Sequence, residues 1–384
     1  MSHAQQPGAA VAIDPDADAI FQHPRMTLRT VPYQTFPFAG RRGTTVLDRS
    51  TAYPWFGWRA GRLAASLVAA DAIDIVHGLG ASSLGYATLP RESRRAPFVF
   101  NPQGLEEFGA TDPSRSSWLK RLGYWPLRQA VRACARAADC VIATDQALVQ
   151  PVLTYLPVRP DVVRVIPNAI DPAADSTSTA IPDAASLRKS VGLGADDVVL
   201  LSVGRLEANK GFSYLVEALT MLASDPALAG APWRWILVGD GPMRGRLERE
   251  IRDHGLERHA ILLGRADDDE LRGWYGAATL FVHPTLYEGS SLVTLEAMSH
   301  RLAVVATRAG GLPDKVRPGV NGWLVPPGDA SALAGAVREA LSDRDRLVTM
   351  GHAGRAIVDA EFSWDAVADR MVDVYRELAA RVQD

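Results

Sequence analysis

The sequence predicts an α/β fold built on parallel sheets in two domains, and three observations lead there. Short apolar runs alternate with amphipathic stretches along most of the chain, the pattern of repeated strand–helix–strand units. At 384 residues the chain is long enough for two cores. Residues 168–182, with Pro172 and an S-T-S-T run, are polar and turn-rich, and read as the linker between two such series.

In the first half, strands are expected over 27–31, 73–77, 98–101, 140–144 and 163–166. In the second half they are expected over 198–203, 235–238, 261–263, 280–283, 303–306 and 322–325, with helices over 212–223, 241–254, 268–277, 292–300 and 330–340. A terminal helix starts near Ser363 or Asp365 and runs to Leu378, with Ala366, Met371, Val372 and Tyr375 as its apolar face. Residues 1–25 are polar and rich in Pro and Asp, with only a short apolar run at 9–13.

Composition narrows the function classes. Hydrophobic residues make up 47% and charged residues 22%, as in ordinary globular proteins. A net charge of -3 argues against a general nucleic-acid binder. Cys134 and Cys140 stand in a C-x5-C spacing that fits neither a usual zinc nor a redox pattern, so free thiols in a reducing, cytoplasmic setting are expected. The first residues lack the basic and apolar regions of a signal peptide, and no apolar run has the roughly 18 residues a spanning helix needs.

The chemistry concentrates at an E-x7-E pair. Glu288 falls in a loop after an apolar strand, and Glu296 falls inside the helix that begins near Ser291. A carboxylate among Leu295, Ala297 and Met298 is costly to bury unpaired, so the pair points to a ligand rich in hydroxyl donors, such as a sugar nucleotide. The helix start between the carboxylates offers free N–H groups to a diphosphate. After strand 198–203 comes G-R-L-E-A-N-K-G, which puts Arg205 and Lys210 at the carboxyl end of a parallel strand, where open α/β sheets bind ligands. Two cations there suit a diphosphate. The loops G-D-G-P at 239–242 and T-R-A-G-G-L-P at 307–313 read singly as turns, and together with the others as one ligand-binding edge. Asp267-Asp268-Asp269 contains a D-x-D, but Asp267 with Glu270 three residues on fits a helix cap better than a metal site.

This order of motifs resembles the donor domain of the retaining glycosyltransferases of family 4 (group 1). The matching stretches are S-V-G-R-L-E-A-N-K-G, V-G-D-G-P, L-Y-E-G-S-S-L-V-T-L-E-A-M, A-G-G-L-P-D and N-G-W-L-V-P-P-G-D, preceded by V-I-P-N-A-I-D at 165–171. The resemblance implies a GT-B fold of two Rossmann-like domains. The acceptor-side domain would span 1–172, joined by the crossing helix 364–384, and the sugar-nucleotide domain 173–363. It implies that Arg205 and Lys210 hold the donor diphosphate and stabilise the leaving group, and that Glu288 binds the transferred sugar. Backbone groups of Gly204, Gly239, Gly289, Ser290, Ser291, Leu292 and Val293 would approach the sugar and phosphates. Glu296 would take the ribose, and Gly264 with Arg265 would border the base. Transfer would retain the anomeric configuration by a front-face path with no metal and no cofactor beyond the donor substrate, a UDP- or GDP-sugar. The acceptor would be a glycan or a lipid-linked glycan.

The first half departs from that pattern. Gln103 stands where many members carry a histidine, and it donates and accepts hydrogen bonds without becoming charged. His77, nearby in the sequence, reads as strand-end packing. The usual opening strand and Gly-rich loop are not visible in residues 1–25, so 27–31 reads as the family's second strand and the first βα unit as lacking. The segment between Arg115 and Arg136 holds six cations and no acid, with Trp118, Tyr124 and Trp125 interleaved. It offers a surface for peripheral membrane contact, against the plainer reading of a solvated basic face with core aromatics, which Pro126 within the segment favours. Two other functions stay open: a donor-binding assembly partner without turnover, and a GT-B sugar-nucleotide epimerase.

Overall fold

The structure is a computed structural model that describes residues 25–33, 45–70, 73–94, 96–109, 122–172, 181–225 and 232–383. In the first half, a long helix α1 (Thr45–Ala69) precedes β1 (Val76–Leu79) and β2 (Phe98–Asn101), followed by α2 (Trp125–Ala137), β3 (Cys140–Ala143), α3 (Gln146–Tyr155) and β4 (Val163–Val165). The four strands form one parallel sheet in the order β1-β2-β3-β4. The second half runs α4 (Ala184–Ser190), β5 (Val198–Val203), α5 (Phe212–Ala223), β6 (Trp233–Val238), α6 (Arg244–Asp253), β7 (Ala260–Gly264), α7 (Asp268–Ala277), β8 (Leu280–His283), α8 (Leu292–Ser299), β9 (Val304–Thr307), β10 (Gly322–Val325), α9 (Ala330–Leu341) and α10 (Arg344–Ile357). Its six strands are parallel in the order β10-β9-β8-β5-β6-β7. The chain ends in α11 (Trp364–Gln383).

The second sheet is buried on both faces, which is why its strands read as unbroken apolar runs. Val198 and Leu200 of β5 enter one core with α5 and α9, while Val199, Leu201 and Val203 enter the other with α7 and α8. The period of two along a strand sorts them. Fully burying each such side chain contributes roughly 1.5–3 kcal/mol.

Where α1 crosses the stretch after β1, backbones touch. A Cβ added at Gly57 would sit 1.8 Å from the Ala81 carbonyl oxygen, and one at Gly85 would sit 1.9 Å from that of Trp58. Glycine at both positions is therefore a packing requirement, and it outweighs the poor helix propensity of Gly57, Gly61 and Pro54 within α1.

The last helix returns to the first sheet. Val367, Val374 and Leu378 of α11 are buried with Val99, Cys140, Ile142 and Ile166, and Met371 and Tyr375 pack beside them. Val372, expected on that apolar face, is 37% exposed, because the buried stripe runs through 367, 371, 374 and 378 instead. The two crossings between the halves lie side by side: Ile170 N–H donates to Phe362 O (2.9 Å), and Trp364 N–H donates to Ile170 O (3.2 Å).

Three further expectations change. Residues 27–31 form no strand. They run as irregular chain with Met26 and Leu28 45% and 44% exposed, and no strand pairs with them among the described residues. The strand expected at 73–77 lies at 76–79, because pairing starts at Val76 opposite Phe98 and leaves Ile73 outside the ladder and exposed. Trp125 is 58% exposed and Leu122 65%, so this aromatic is not core, whereas Tyr124 is partly buried. Residues 110–121, with Arg115, Trp118, Lys120 and Arg121, lie outside the described residues, as do residues 1–24 and 173–180 of the linker.

Other expectations hold. Asp267 caps α7, its carboxylate accepting from Glu270 N–H at 2.8 Å. Cys134 and Cys140 are buried free thiols, and burial pushes them up to about 12 and about 11. No helix among the described residues is long and apolar enough to cross a membrane.

Candidate active site

The loops after β5, β8 and β9 meet at the carboxyl edge of the second sheet. The β5 loop closes in a helical turn, Ala208–Lys210. Its Asn209 carbonyl accepts from Leu286 N–H (2.7 Å) and from the Thr285 hydroxyl (2.9 Å), which binds the β8 loop to the β5 loop. Lys210 is thereby aimed at Glu288, with Nζ 2.6 Å from Oε2. Nε2 of His283, the last residue of β8, lies 2.9 Å from the same oxygen. His283 is fully buried, and burial lowers its pKa although Glu288 opposes this, so a neutral ring donates through Nε2. For Glu288, burial raises the pKa, but the hydrogen bond from His283 and the Lys210 ammonium override it and hold the carboxyl at about 2. At neutral pH this carboxylate is a charged acceptor and a poor proton acceptor, which suits accepting hydroxyl hydrogen bonds better than general base catalysis.

The β9 loop completes the cluster. Gly310 has φ +50°, and a Cβ there would lie 1.5 Å from the Glu288 carbonyl oxygen, so only glycine lets the two loops touch. The first half closes over them: Gln146 N–H donates to Asp314 Oδ2 at 2.7 Å, and Gly311 abuts Asp145. Between the halves lies a cavity of about 210 Å³ bordered by Gln103, Asp145, Asn168, Glu288, Ser290 and Gly310. Gln103 sits in the left-handed region (φ 63°), a conformation that costs on the order of 1–3 kcal/mol and clusters at functional sites. Ser290, which borders it, has a buried Oγ without a hydrogen-bond partner among the described residues, as has Nδ1 of His283.

The structure thus brings together Lys210, Glu288, Gly289, Ser290 and Gln103, with Ser291 joined through His283 (3.5 Å) and Thr294 (2.9 Å). Gly204, Gly239 and Gly264 meet at the ends of adjacent strands: Gly204 N–H donates to Val238 O (3.0 Å), Gly239 N–H to Gly264 O (2.7 Å), and a Cβ at Gly239 would strike Gly204 O at 1.9 Å. Leu292 opens α8 and is 42% exposed, and Val293 packs partly into the core. Arg205 is not in the cluster. Its side chain is 79% exposed and pairs with Glu207 at 2.9 Å. Arg265 is likewise exposed just after β7. Glu296 faces a second cavity of about 280 Å³, bordered by Asp171, Asp268, Arg272, Tyr275 and His300. It accepts from the Tyr275 hydroxyl at 2.8 Å, and burial together with the Glu296 charge keeps that phenol protonated. His77 lies outside both, its Nδ1 2.7 Å from the Tyr375 hydroxyl on α11.

Sequence reasoning missed His283, Tyr275, Asp145 and the fully buried Lys315, whose Nζ donates to Gly311 O (3.3 Å), lies 5.7 Å from the Phe362 ring and feels the carboxylates of Asp145, Asp314 and Glu288. The one available signal was His283 itself, a polar residue closing the apolar run F-V-H-P just before Glu288. Among the described residues no group of His, Cys, Asp and Glu is arranged to hold a metal ion.

Comparison with known proteins agrees with this architecture. The family model described as glycosyl transferases group 1 matches residues 183–357, and that of glycosyltransferase family 4 matches residues 21–174. The alpha-maltose-1-phosphate synthase of Mycobacterium tuberculosis is 31% identical over 346 residues, covering 86% of this chain and 79% of that one. A glycosyltransferase of Methanocaldococcus jannaschii is 30% identical over 236 residues, where the match spans 62% of this chain and only 59% of the relative. The solved structure of Anabaena HepE in complex with UDP-glucose superposes with a TM-score of 0.62 at 25% identity, covering 83% of each chain. Two parallel-sheet halves, loops meeting at their carboxyl edges and a match across both halves have one meaning: this chain belongs to the group 1, family 4 glycosyltransferases and has the GT-B fold.

Proposed function

We propose that this glycosyltransferase moves a hexose from a UDP- or GDP-sugar to a glycan or lipid-linked acceptor with retention of anomeric configuration. The observation that carries the reading is the Lys210–Glu288–His283 cluster, facing a cavity that both halves border. In this reading Lys210 transfers its charge from Glu288 to the donor diphosphate and stabilises it as the bond to the sugar breaks. Glu288, fixed by His283, accepts hydroxyls of the sugar, and Gln103 approaches from the acceptor side. Arg205 swings in from solvent to join Lys210. Glu296, oriented by Tyr275, takes the ribose in the neighbouring cavity, with Gly264 and Arg265 toward the base. No metal or further cofactor enters this scheme. The acceptor half would be 1–172 with 364–384, and the donor half 173–363. The Anabaena structure with UDP-glucose supports a nucleotide-sugar donor. Family membership favours transfer over epimerisation and over donor binding without turnover. Leu122 and Trp125, exposed at the start of the basic helix α2, are consistent with peripheral contact with a membrane that carries the acceptor.

The test is proton NMR of the first product formed by the purified chain from a panel of UDP- and GDP-hexoses with glycan and lipid-linked acceptors. An α-linked product from an α-linked donor is expected. A β-linked product would refute retention, and nucleotide binding without turnover on any pair would favour the non-catalytic alternative.

A further inference from the structure

A second kind of cavity lies away from the cleft, at the opposite edge of the first sheet. The cleft takes residues that follow the strands, such as Gln103 after β2 and Thr144 after β3. This cavity instead takes those that precede them, Pro97 before β2, Asp139 before β3 and Val162 before β4. It measures about 570 Å³. Arg91, Arg94, Arg136, Arg159 and Arg381 border it, and among the described residues Asp139 is its one bordering carboxylate.

The charges there do not cancel. Arg159 pairs with Asp161 (3.1 Å), and Arg381 with Glu377. Including those two carboxylates, five positive charges meet three negative ones. Arg91 and Arg136 have no carboxylate partner among the described residues. Arg94 is held in place by a 2.6 Å bond from Nη1 to the Ala137 carbonyl, while its Nε is buried without a partner. One oxygen of Asp139 is occupied by Phe98 N–H at 2.9 Å, so this carboxylate serves the β2 start as well as facing the guanidiniums. Like charges gathered around a concave space repel one another, and a folded chain gains by admitting an anion there. Planar guanidiniums with several free N–H groups match phosphate oxygens two at a time.

We propose that this cavity binds phosphate groups, either of a small ligand carrying two or more of them or of an anionic lipid, at a site separate from the donor cleft. Because Arg381 and Leu378 come from α11, the bound anion also bridges the terminal helix to the first sheet. Arg136 links the site to the basic helix α2, which ends at the cavity rim.

The experiment compares the full chain with R91Q/R136Q. Pyrophosphate is titrated by calorimetry with the donor cleft kept occupied by saturating UDP or GDP, and binding to vesicles of phosphatidylcholine with and without phosphatidylglycerol is measured by co-sedimentation. Binding of either probe that weakens at least tenfold in R91Q/R136Q, with the thermal unfolding midpoint unchanged, supports the site. A loss confined to pyrophosphate identifies a free ligand, and a loss confined to anionic vesicles a lipid headgroup. Should the double variant unfold early, R136Q alone, at the exposed end of α2, carries the same comparison. Equal binding by wild type and variant, or no binding of either probe by the wild type, overturns the proposal.

Discussion

Replacing Glu288 by Gln tests the electrostatics of the site apart from its activity. Gln keeps the shape of the side chain and removes its charge, so Lys210 loses its partner at 2.6 Å in surroundings where the two side chains are only 18% and 13% exposed. The wild-type carboxyl sits at about 2, against an ordinary value of 4.5. At about 1.4 kcal/mol per tenfold change in proton affinity, that difference corresponds to about 3 kcal/mol. The folded value is the lower one, so the stabilisation is fully present above the unfolded value and is lost as pH falls from about 4.5 toward 2. Glu288→Gln should therefore be less stable than wild type by about 3 kcal/mol at pH 7. The gap should narrow by about 1.4 kcal/mol by pH 3.5, since the unfolded chain takes up a proton at Glu288 there while the folded carboxylate stays ionised beside Lys210. Urea unfolding followed by tryptophan fluorescence is a suitable assay, because Trp233, Trp235 and Trp274 are all buried in the second half. A gap that does not change between pH 7 and pH 3.5 would refute the reasoning.

Lys210→Ala should lower turnover by roughly a hundredfold or more in steady-state assays while weakening nucleotide binding less, as expected for a contact that strengthens when the leaving group develops charge. Arg205→Ala should do the same if its exposed side chain swings into the site, and unchanged turnover would leave it a surface pair with Glu207. Glu296→Gln should weaken UDP or GDP binding in calorimetry, whereas Glu288→Gln should spare the plain nucleotide and impair use of the sugar donor; equal effects would remove the division of labour between the two cavities. Gly310→Ala should cost more than about 2 kcal/mol in stability and abolish donor use, because its methyl group would fall on the Glu288 carbonyl.

The second sheet was legible because strands buried on both faces carry an unbroken apolar signal. Strands β5 to β10 lie within one or two residues of their expected bounds. Helix α1 was not legible: Pro54, Gly57 and Gly61 speak against a helix locally, and the two glycines are explained by the Ala81 and Tyr86 backbones they pack against. Likewise residues 27–31 read as a strand, yet nothing among the described residues pairs with them. At the site, the Glu288 loop and Lys210 could be read from spacing, since both follow strands at one sheet edge. Gln103 could be placed through the resemblance, but the exposed position of Arg205 and the approach of Asp145 from the other half could not, because no local pattern encodes contacts between residues a hundred or more positions apart. Val372 was misplaced because two apolar faces fit the sequence of α11, and only docking on Val99 and Ile142 selects one.

The paired crossings at Ile170 and Ser363 set how the molecule can move. Two chain segments bonded to each other through their main chains act as a single pivot, with both pins at one place. A swing of the halves about that point would break no strand pairing in either sheet. The bonds that must open are the few on the far side of the cleft, such as that from Gln146 to Asp314. On the proposed reading, opening the cleft would cost little more than those contacts, and their reformation would bring Gln103 and Glu288 back together across it.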